Sequence, residues 1–546
     1  MTEMSGELGK GEKTMKKRLL AAFLSLAMVA TLLSGCSNGA GNAGSTGNNK
    51  EDVPKDNGPT VTDWTVSYEG IKTGTVNARV SVHDPSILQV GDQYYIFGSH
   101  MDSAKGTDLR SWTKLGNGYN ANNAVYGNLW DTNKEVFKYA GSGSSLIPTD
   151  DGGTHVWAPD ACYNPTTGLY YLYYCTTSTW NASNLCYATS EKPEGPYEWQ
   201  GALIYSGFDG STIKETNVYD VVSESYAKSK YLGGGYAYNF RDYPNAIDPS
   251  IFFDEDGRWW MTYGSWSGGI YLLELDPQTG KVIHPEADPE NNVDPYFGKK
   301  LIGGGHKSME GPYILYDKTS GYYYLFVSYG SLSREGGYQI RVFRSETVNG
   351  DYVDMNGKAP FNNSHSPYGL KMSGNYMLPS LKVAYMATGH NSAFIDQKDG
   401  KMYVVYHTRF NDGTERHSPR VKQFFLNEEG WPCILPYATN GETISETGYE
   451  REELAGLYYF VCQGNMIDAK VAEPIMLELT AGGGVYGKDV EGTWTRTNGT
   501  YYMKITVDGI EYSGVFCKQK DEGGTDVMTF SAVGNNTTVW GVKYYE

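Results

Sequence analysis

Five stretches of this chain repeat one pattern: an ionisable residue, a few small or apolar residues, a turn carrying Gly or Asp, and an aromatic strand. They open at Asp84 (DPSILQVGDQYYIFGS), Asp160 (DACYNPTTGLYYLYYCTTS), Asp248 (DPSIFFDEDGRWWMTYGS), Glu310 (EGPYILYDKTSGYYYLFVSYGS) and His390 (HNSAFIDQKDGKMYVVYHTRF), at spacings of 76, 88, 62 and 80 residues. Each copy reads as a β-hairpin. Between copies there is room for two more strands, as in NLCYATSEKPEGPYEWQG and GIYLLELDPQTGKVI. Three or four strands per repeat, with no long amphipathic helix after the N-terminal leader, predict an all-β fold, a five-bladed β-propeller. The repeats are longer than those of common propellers, and such insertions usually sit on the functional face.

The innermost strand of each blade lines a central channel, so equivalent positions converge on its axis. Asp84, Asp160, Asp248, Glu310 and His390 would then ring one end of that channel. An Asp before Pro at a strand entry also closes an Asx-turn, and a repeat fold repeats its turns. Glu310 and His390 fit that alternative poorly, since what the five positions share is ionisability. Crowded carboxylates repel one another and lose solvent, which raises some of their pKa values and usually marks a site of chemistry.

The chain has 546 residues, 67 of them Gly and 46 Tyr, which is enough for two or three domains rich in strands and turns. A formal charge of −18 argues against nucleic acid, anionic membrane surfaces and polyanionic substrates, and favours a neutral polymer or small molecule. Residues 1–36 read as an extension followed by a signal, because MKKRLLAAFLSLAMVATLLSGC sets basic residues before a short apolar core. Its ending resembles the bacterial lipoprotein processing site, which implies lipidation of Cys36; an ordinary signal peptide is the alternative. Residues 37–62 read as a flexible polar tether, 63–440 as the propeller and 441–546 as a small antiparallel β-barrel or sandwich. The mature protein is thus expected outside the cell, held to the membrane by lipid alone. Cys162, Cys175, Cys186, Cys433, Cys462 and Cys517 match no metal-binding spacing; most read as buried strand residues, and their pairing stays open.

Carboxylates across a channel, with no Ser–His pair, no thiol nucleophile and no phosphate loop, point to hydrolysis of a glycosidic bond. One activates water and another protonates the leaving oxygen. Asp84 reads as the base and Glu310 as the acid, with Asp248 holding Glu310 and raising its pKa by charge. Trp157 and Trp266 offer flat faces for a sugar, with packing between blades as an equal alternative. Asp160, Asn245 and Ser265 are the candidate polar contacts. DEDG at Asp254 and DQKDG at Asp396 lack the other ligands of a calcium loop and fall where hairpins need turns.

The set HDPSI, WAPD, NAIDPSI, MEGPYI and GHNSAF, spread over roughly residues 75–440, resembles the five-bladed propeller glycoside hydrolases of family 43. Within them it is similar to the endo-acting α-1,5-L-arabinanases. The resemblance implies an inverting mechanism with Asp84 as general base, Glu310 as general acid and Asp248 tuning that acid. Inversion places a water between base and sugar, so Asp84 and Glu310 are expected roughly 6.5–9.5 Å apart. The resemblance also implies a metal, usually taken as calcium, reached by a His of the fifth blade. That His would be His390, with His407 as the second choice and otherwise structural. Nitrogen is an odd ligand for calcium, so a largely hydrated ion is expected. Residues 441–546 resemble the C-terminal barrel module of two-domain arabinanases and read as a buttress, since no row of exposed aromatics stands out. A monomer acting on arabinan, without nucleic acid, is what this implies. An exo-acting arabinofuranosidase or xylosidase on the same fold, and a non-catalytic lipid-anchored glycan binder, are the alternatives.

Overall fold

The computed structural model describes residues 53–127, 135–149, 153–178, 182–362 and 367–544. The leader and Cys36 lie outside them. Among the described residues, no helix is long and apolar enough to cross a membrane.

Each repeat forms the hairpin its sequence calls for. The turns sit at Gly91, Gly168, Gly257, Gly321 and Gly400, with φ between 58° and 78°. That left-handed backbone costs a side chain and suits Gly. The first repeat is the antiparallel meander Ser86–Val90, Gln93–Gly98, Asp102–Gly106, Thr113–Gly116, and the second is Val156–Asn164, Leu169–Ser178, Ala182–Ser190, Glu198–Ser206. The third is built on Ser250–Phe253, Trp259–Tyr263, Ile270–Leu275 and Gly298–Ile302, with two short strands added. The fourth runs through Met309–Asp317, Tyr322–Tyr329, Gln339–Ser345 and Leu370–Ser373, and the fifth through Tyr385–Ile395, Met402–Phe410, His417–Leu426 and Pro432–Ile434.

Apolar side chains join neighbouring sheets in a closed circuit, which is a propeller-like arrangement. Phe97 packs with Leu172 and Tyr174, Tyr173 with Trp259 and Met261, and Leu272 with Ile314 and Leu325. Phe326 packs with Val404 and Phe424, and Ile87 and Ile96 with Val405 and Val421. The last contact closes the ring through side chains rather than a shared strand. It is reinforced by Ser392 Oγ donating to the Pro85 carbonyl at 2.9 Å and by Lys398 against Asp92.

The expectation of separate blades followed by a separate module needs one correction. Four sheets stand alone, but the sheet of the fourth repeat continues into the C-terminal strands. Lys371 pairs in parallel with Thr537, which makes one twelve-stranded sheet. The eight C-terminal strands, from Gly456–Cys462 to Thr537–Tyr544, close on themselves because the last strand pairs with both the first and the seventh. They form a barrel around Trp494, Phe516 and Phe530. Its outer wall shares an apolar cluster with the propeller through Val515, Trp540 and Val542. The described end of the expected tether is also docked on the barrel: Asp56 accepts from Thr480 and Tyr486, and Thr60 donates to Glu478. The six described cysteines are unpaired, and four of them are buried.

Candidate active site

In all five repeats a residue with left-handed backbone stands just before the innermost strand or within it. These are Asp84 (φ 51°), Ala158 (41°), Asp248 (56°), Gly311 (58°) and His390 (47°). Four are non-glycine, a conformation that costs roughly 1–2 kcal/mol each. A ring of clasps holds them, each supplied by the preceding repeat. The N–H of Asp84 donates to His407 Nδ1 (3.3 Å), that of Ala158 to Ser99 Oγ (2.9 Å), that of Gly311 to Asp248 Oδ2 (3.1 Å) and that of His390 to Ser328 Oγ (2.7 Å). The N–H of Asp248 faces the sulfur of Cys175.

This register corrects two ring positions inferred from sequence. The ring is Asp84, Ala158, Asp248, Gly311 and His390. Glu310 lies one residue before it, and Asp160 two residues after it. The signal was present in the sequence, since Pro follows the ring position at 85, 159, 249 and 312. Alignment on ionisable residues overrode it.

One step makes all the difference to these carboxylates. Asp84, Asp248, Glu310 and His390 line a cleft of about 870 Å³ together with Trp157, Asn245, Ser265 and Trp266. Asp160 does not line it; it faces a cavity of about 20 Å³ on the axis below. There its Oδ2 accepts from the Ile251 N–H at 2.7 Å, tying the second repeat to the third. It is therefore placed as an inter-repeat clasp rather than a sugar contact.

Asp84 is built to stay ionised. Ser99 Oγ donates to its Oδ2 at 2.5 Å, and His83 Nδ1 and His390 Nδ1 lie 2.7 and 3.1 Å from its oxygens. Burial pushes its pKa up, but the imidazoles of His390 and His83 outweigh burial and hold it well below the usual carboxylate range. Glu310 has the opposite setting. Burial first, then the charge of Asp248, raises its pKa. Trp266 Nε1 donates to Oε2 at 2.6 Å and the Tyr338 hydroxyl to Oε1 at 2.7 Å, while Ser265 Oγ is at 3.4 Å. Asp248 is raised as well, by burial and then by Asp84. Asp248 and Glu310 thus compete for protons in a dry floor, while Asp84 keeps its charge. That is the division of labour a general base and a general acid need.

The family 43 model, described as glycosyl hydrolases family 43, matches residues 78–233 and 233–432. The chain belongs to glycosyl hydrolase family 43. A C-terminal lipocalin-like domain matches residues 436–541, which are the closed barrel. The chain is 37% identical to an extracellular endo-α-(1→5)-L-arabinanase of Thermotoga petrophila, over 85% of this chain and 94% of that protein. It is 36% identical to extracellular endo-α-(1→5)-L-arabinanase 2 of Bacillus subtilis, over 85% and 93%. The crystal structure of an endo-1,5-α-L-arabinanase from Thermotoga petrophila aligns with a TM-score of 0.73 at 36% identity, covering 87% of this chain and all of that one.

As a family 43 glycoside hydrolase, the protein also has site residues that the sequence did not disclose. Ser99 and Tyr338 carry hydrogen bonds to Asp84 and Glu310 from the ends of other strands. The rings of His83 and His407 stack at 4.0 Å, with His417 edge-on to His83 at 4.9 Å. No spacing rule joins His83 to a residue 324 positions away.

Two histidines near Asp84 are candidate donors to a cation. The Nδ1 of His390 is engaged by Asp84. Among the described residues, ligand atoms of His83, Asp84 and His407 converge within 4.8 Å. Fully buried His407 has a neutral ring, because burial and then the charge of His83 hold its pKa well below the ordinary value. Its Nε2 has no hydrogen-bond partner. Because Nδ1 accepts from the Asp84 N–H, the neutral ring carries its proton on Nε2, an unpartnered donor that suits a water rather than direct contact with a cation.

Proposed function

We propose that this family 43 enzyme is an extracytoplasmic, lipid-anchored endo-hydrolase of α-1,5-L-arabinan that acts as a monomer and inverts the anomeric centre. One observation carries the reading: a single cleft holds Asp84, kept ionised by Ser99 and the imidazoles of His390 and His83, and Glu310, raised by burial and Asp248. Asp84 removes a proton from the attacking water. Glu310 gives its proton to the leaving oxygen, and Asp248 keeps that proton in place until the bond breaks. Trp266 and Tyr338 hold the acid's two oxygens, so its proton is presented in one direction. Trp157, Asn245 and Ser265 receive the sugar.

The substrate reading is supported by the two relatives, both named for endo action on α-1,5-arabinan. Counting the meander from Met309 to Ser373 as a blade, despite its continuation into the barrel, gives a five-bladed propeller over residues 63–440 with the barrel at 441–546. A calcium ion would be reached by His390, with His407 as the second candidate, and would add positive charge near the reacting sugar. Lipidation of Cys36 would keep the enzyme on the outer face of a bacterial membrane.

The test is a timed digest of linear α-1,5-arabinan, with product sizes and the anomeric form of the first products followed together. A ladder of oligosaccharides bearing new β-anomeric ends is expected. Arabinose alone from the first minutes would replace this reading with the exo-acting one, and α-anomeric ends would remove inversion.

A further inference from the structure

The general acid sits at one end of a row of aromatic rings that leaves the cleft. Trp266, whose Nε1 donates to Glu310, lies 5.7 Å from the ring of His306. His306 in turn meets Phe240 edge-on at 5.1 Å. Trp266 and His306 line the cleft, whereas Phe240 stands beyond it with 38% of its surface exposed. Phe240 belongs to the long insertion between the second and third sheets, which also presents Tyr236.

Three loops are tied together to make this row. The N–H of Trp266 donates to the Met309 carbonyl, that of His306 to Ser267, and that of Gly305 to Arg241, the residue after Phe240. Trp266, Ser267 and His306 all have left-handed backbone, with φ of 51°, 24° and 58°. Three non-glycine residues in that region, in loops whose hydrogen bonds fix them there, are strain that a mere turn would shed by using Gly.

A general acid protonates the oxygen that departs, so the part of the polymer on the leaving side passes Glu310 first. From the acid outward, the rings met are those of Trp266, His306 and Phe240. We propose that His306, at the rim of the cleft, and Phe240, beyond it, form a distal subsite that stacks the leaving-group side of the polysaccharide, a neutral furanose chain. A sugar's apolar face against exposed rings needs no charge, in keeping with the neutral polymer that the chain's net charge of −18 favours.

This inference rests on the arabinan reading, and the experiment separates the two. The probes are linear α-1,5-arabino-oligosaccharides of increasing length, with kcat/KM measured for the whole protein, Phe240→Ala, Phe240→Trp and His306→Ala. In the unaltered protein the rate should keep rising with length after the cleft is filled. In Phe240→Ala the ratio of long-substrate to short-substrate kcat/KM should fall roughly threefold to tenfold. Phe240→Trp should restore it, and His306→Ala should reduce it as well. A ratio untouched by Phe240→Ala, or equal losses at every length, would overturn the subsite. No cleavage of any of these probes by the unaltered protein would instead overturn the arabinan reading.

Discussion

Two buried aspartates, Asp248 and Asp160, share burial, the direction of their pKa shift and a hydrogen bond to the next repeat, but not their surroundings. Both sit near the axis, both have pKa values raised chiefly by burial, and each accepts a backbone N–H from the next repeat, Gly311 for Asp248 and Ile251 for Asp160. Yet Asp248 shares its space with Asp84 and Glu310 in the large cleft, while Asp160 faces only a cavity the size of one water. Burial and a raised pKa therefore do not by themselves mark a residue that acts on substrate. A second charge and an open route to the substrate do.

The largest expected effect tests whether that distinction holds. Glu310→Gln and Asp84→Asn should lower kcat by on the order of 10²–10⁴-fold, the usual worth of a general acid or base. Asp248→Asn should cost about 10²-fold. It should also move the alkaline limb of the pH–rate profile downward, because the charge that raises the Glu310 pKa is gone. Asp160→Asn should leave kcat/KM within roughly threefold. Equal losses for Asp160→Asn and Asp248→Asn would end the comparison.

Gly311→Ala probes the clasp that separates the two aspartates. An added Cβ would lie 3.1 Å from the His390 ring, on backbone with φ 58°. The side chain must push His390 from Asp84 and loosen the Gly311 N–H held by Asp248. A loss of roughly tenfold in kcat is expected, together with a lower Tm measured by calorimetry. Full activity would mean that His390 does not help to position Asp84.

How much of this was legible beforehand follows from the same pair. Asp84 and Asp248 sit in literal copies, His/Ile-Asp-Pro-Ser-Ile, so their equivalence was readable. Asp160 was drawn into the ring because chemistry was used to set the register, whereas the fold sets it by backbone conformation. Ala158 carries the left-handed residue with no side-chain signal at all. Trp266 reads from sequence as either a stacking platform or packing between blades, and neither reading includes its indole N–H reaching Glu310. The His83–His407 stack was invisible because it joins the first and last repeats, and the Tyr338 hydroxyl because it reaches Glu310 from the far end of the same repeat with no motif to mark it. The merging of the fourth sheet with the barrel depends on the single pair Lys371 and Thr537, which no periodicity announces.

A smaller effect is expected in stability. Asp160→Ala removes the acceptor of the buried Ile251 N–H, and an unsatisfied buried donor costs about 1–3 kcal/mol. Denaturant unfolding should show that loss while the kcat of the remaining folded enzyme is retained. Asp248→Ala should show the reverse emphasis, with kcat falling further than stability.

The finest distinction is in the pH dependence of stability. Burial pushes the Asp160 pKa up to about 7, against 3.8 for an unperturbed Asp. Between those values the folded chain holds a proton that the unfolded chain has released. Linkage then requires the contribution of Asp160 to stability to be largest below the lower value and to decline as pH rises through the upper one. Asn at this position cannot lose a proton, so Asp160→Asn should flatten that part of the Tm-versus-pH curve and gain on the unaltered protein toward neutral pH. The slope difference is read against the titrations of Asp84, Asp248 and Glu310 in the same fold. Measuring it on a Glu310→Gln background removes the Glu310 titration and leaves the slope of Asp160 easier to resolve. Identical slopes with and without Asp160→Asn would mean that Asp160 is charged in its cavity, and the two aspartates would then differ by more than their access to the cleft.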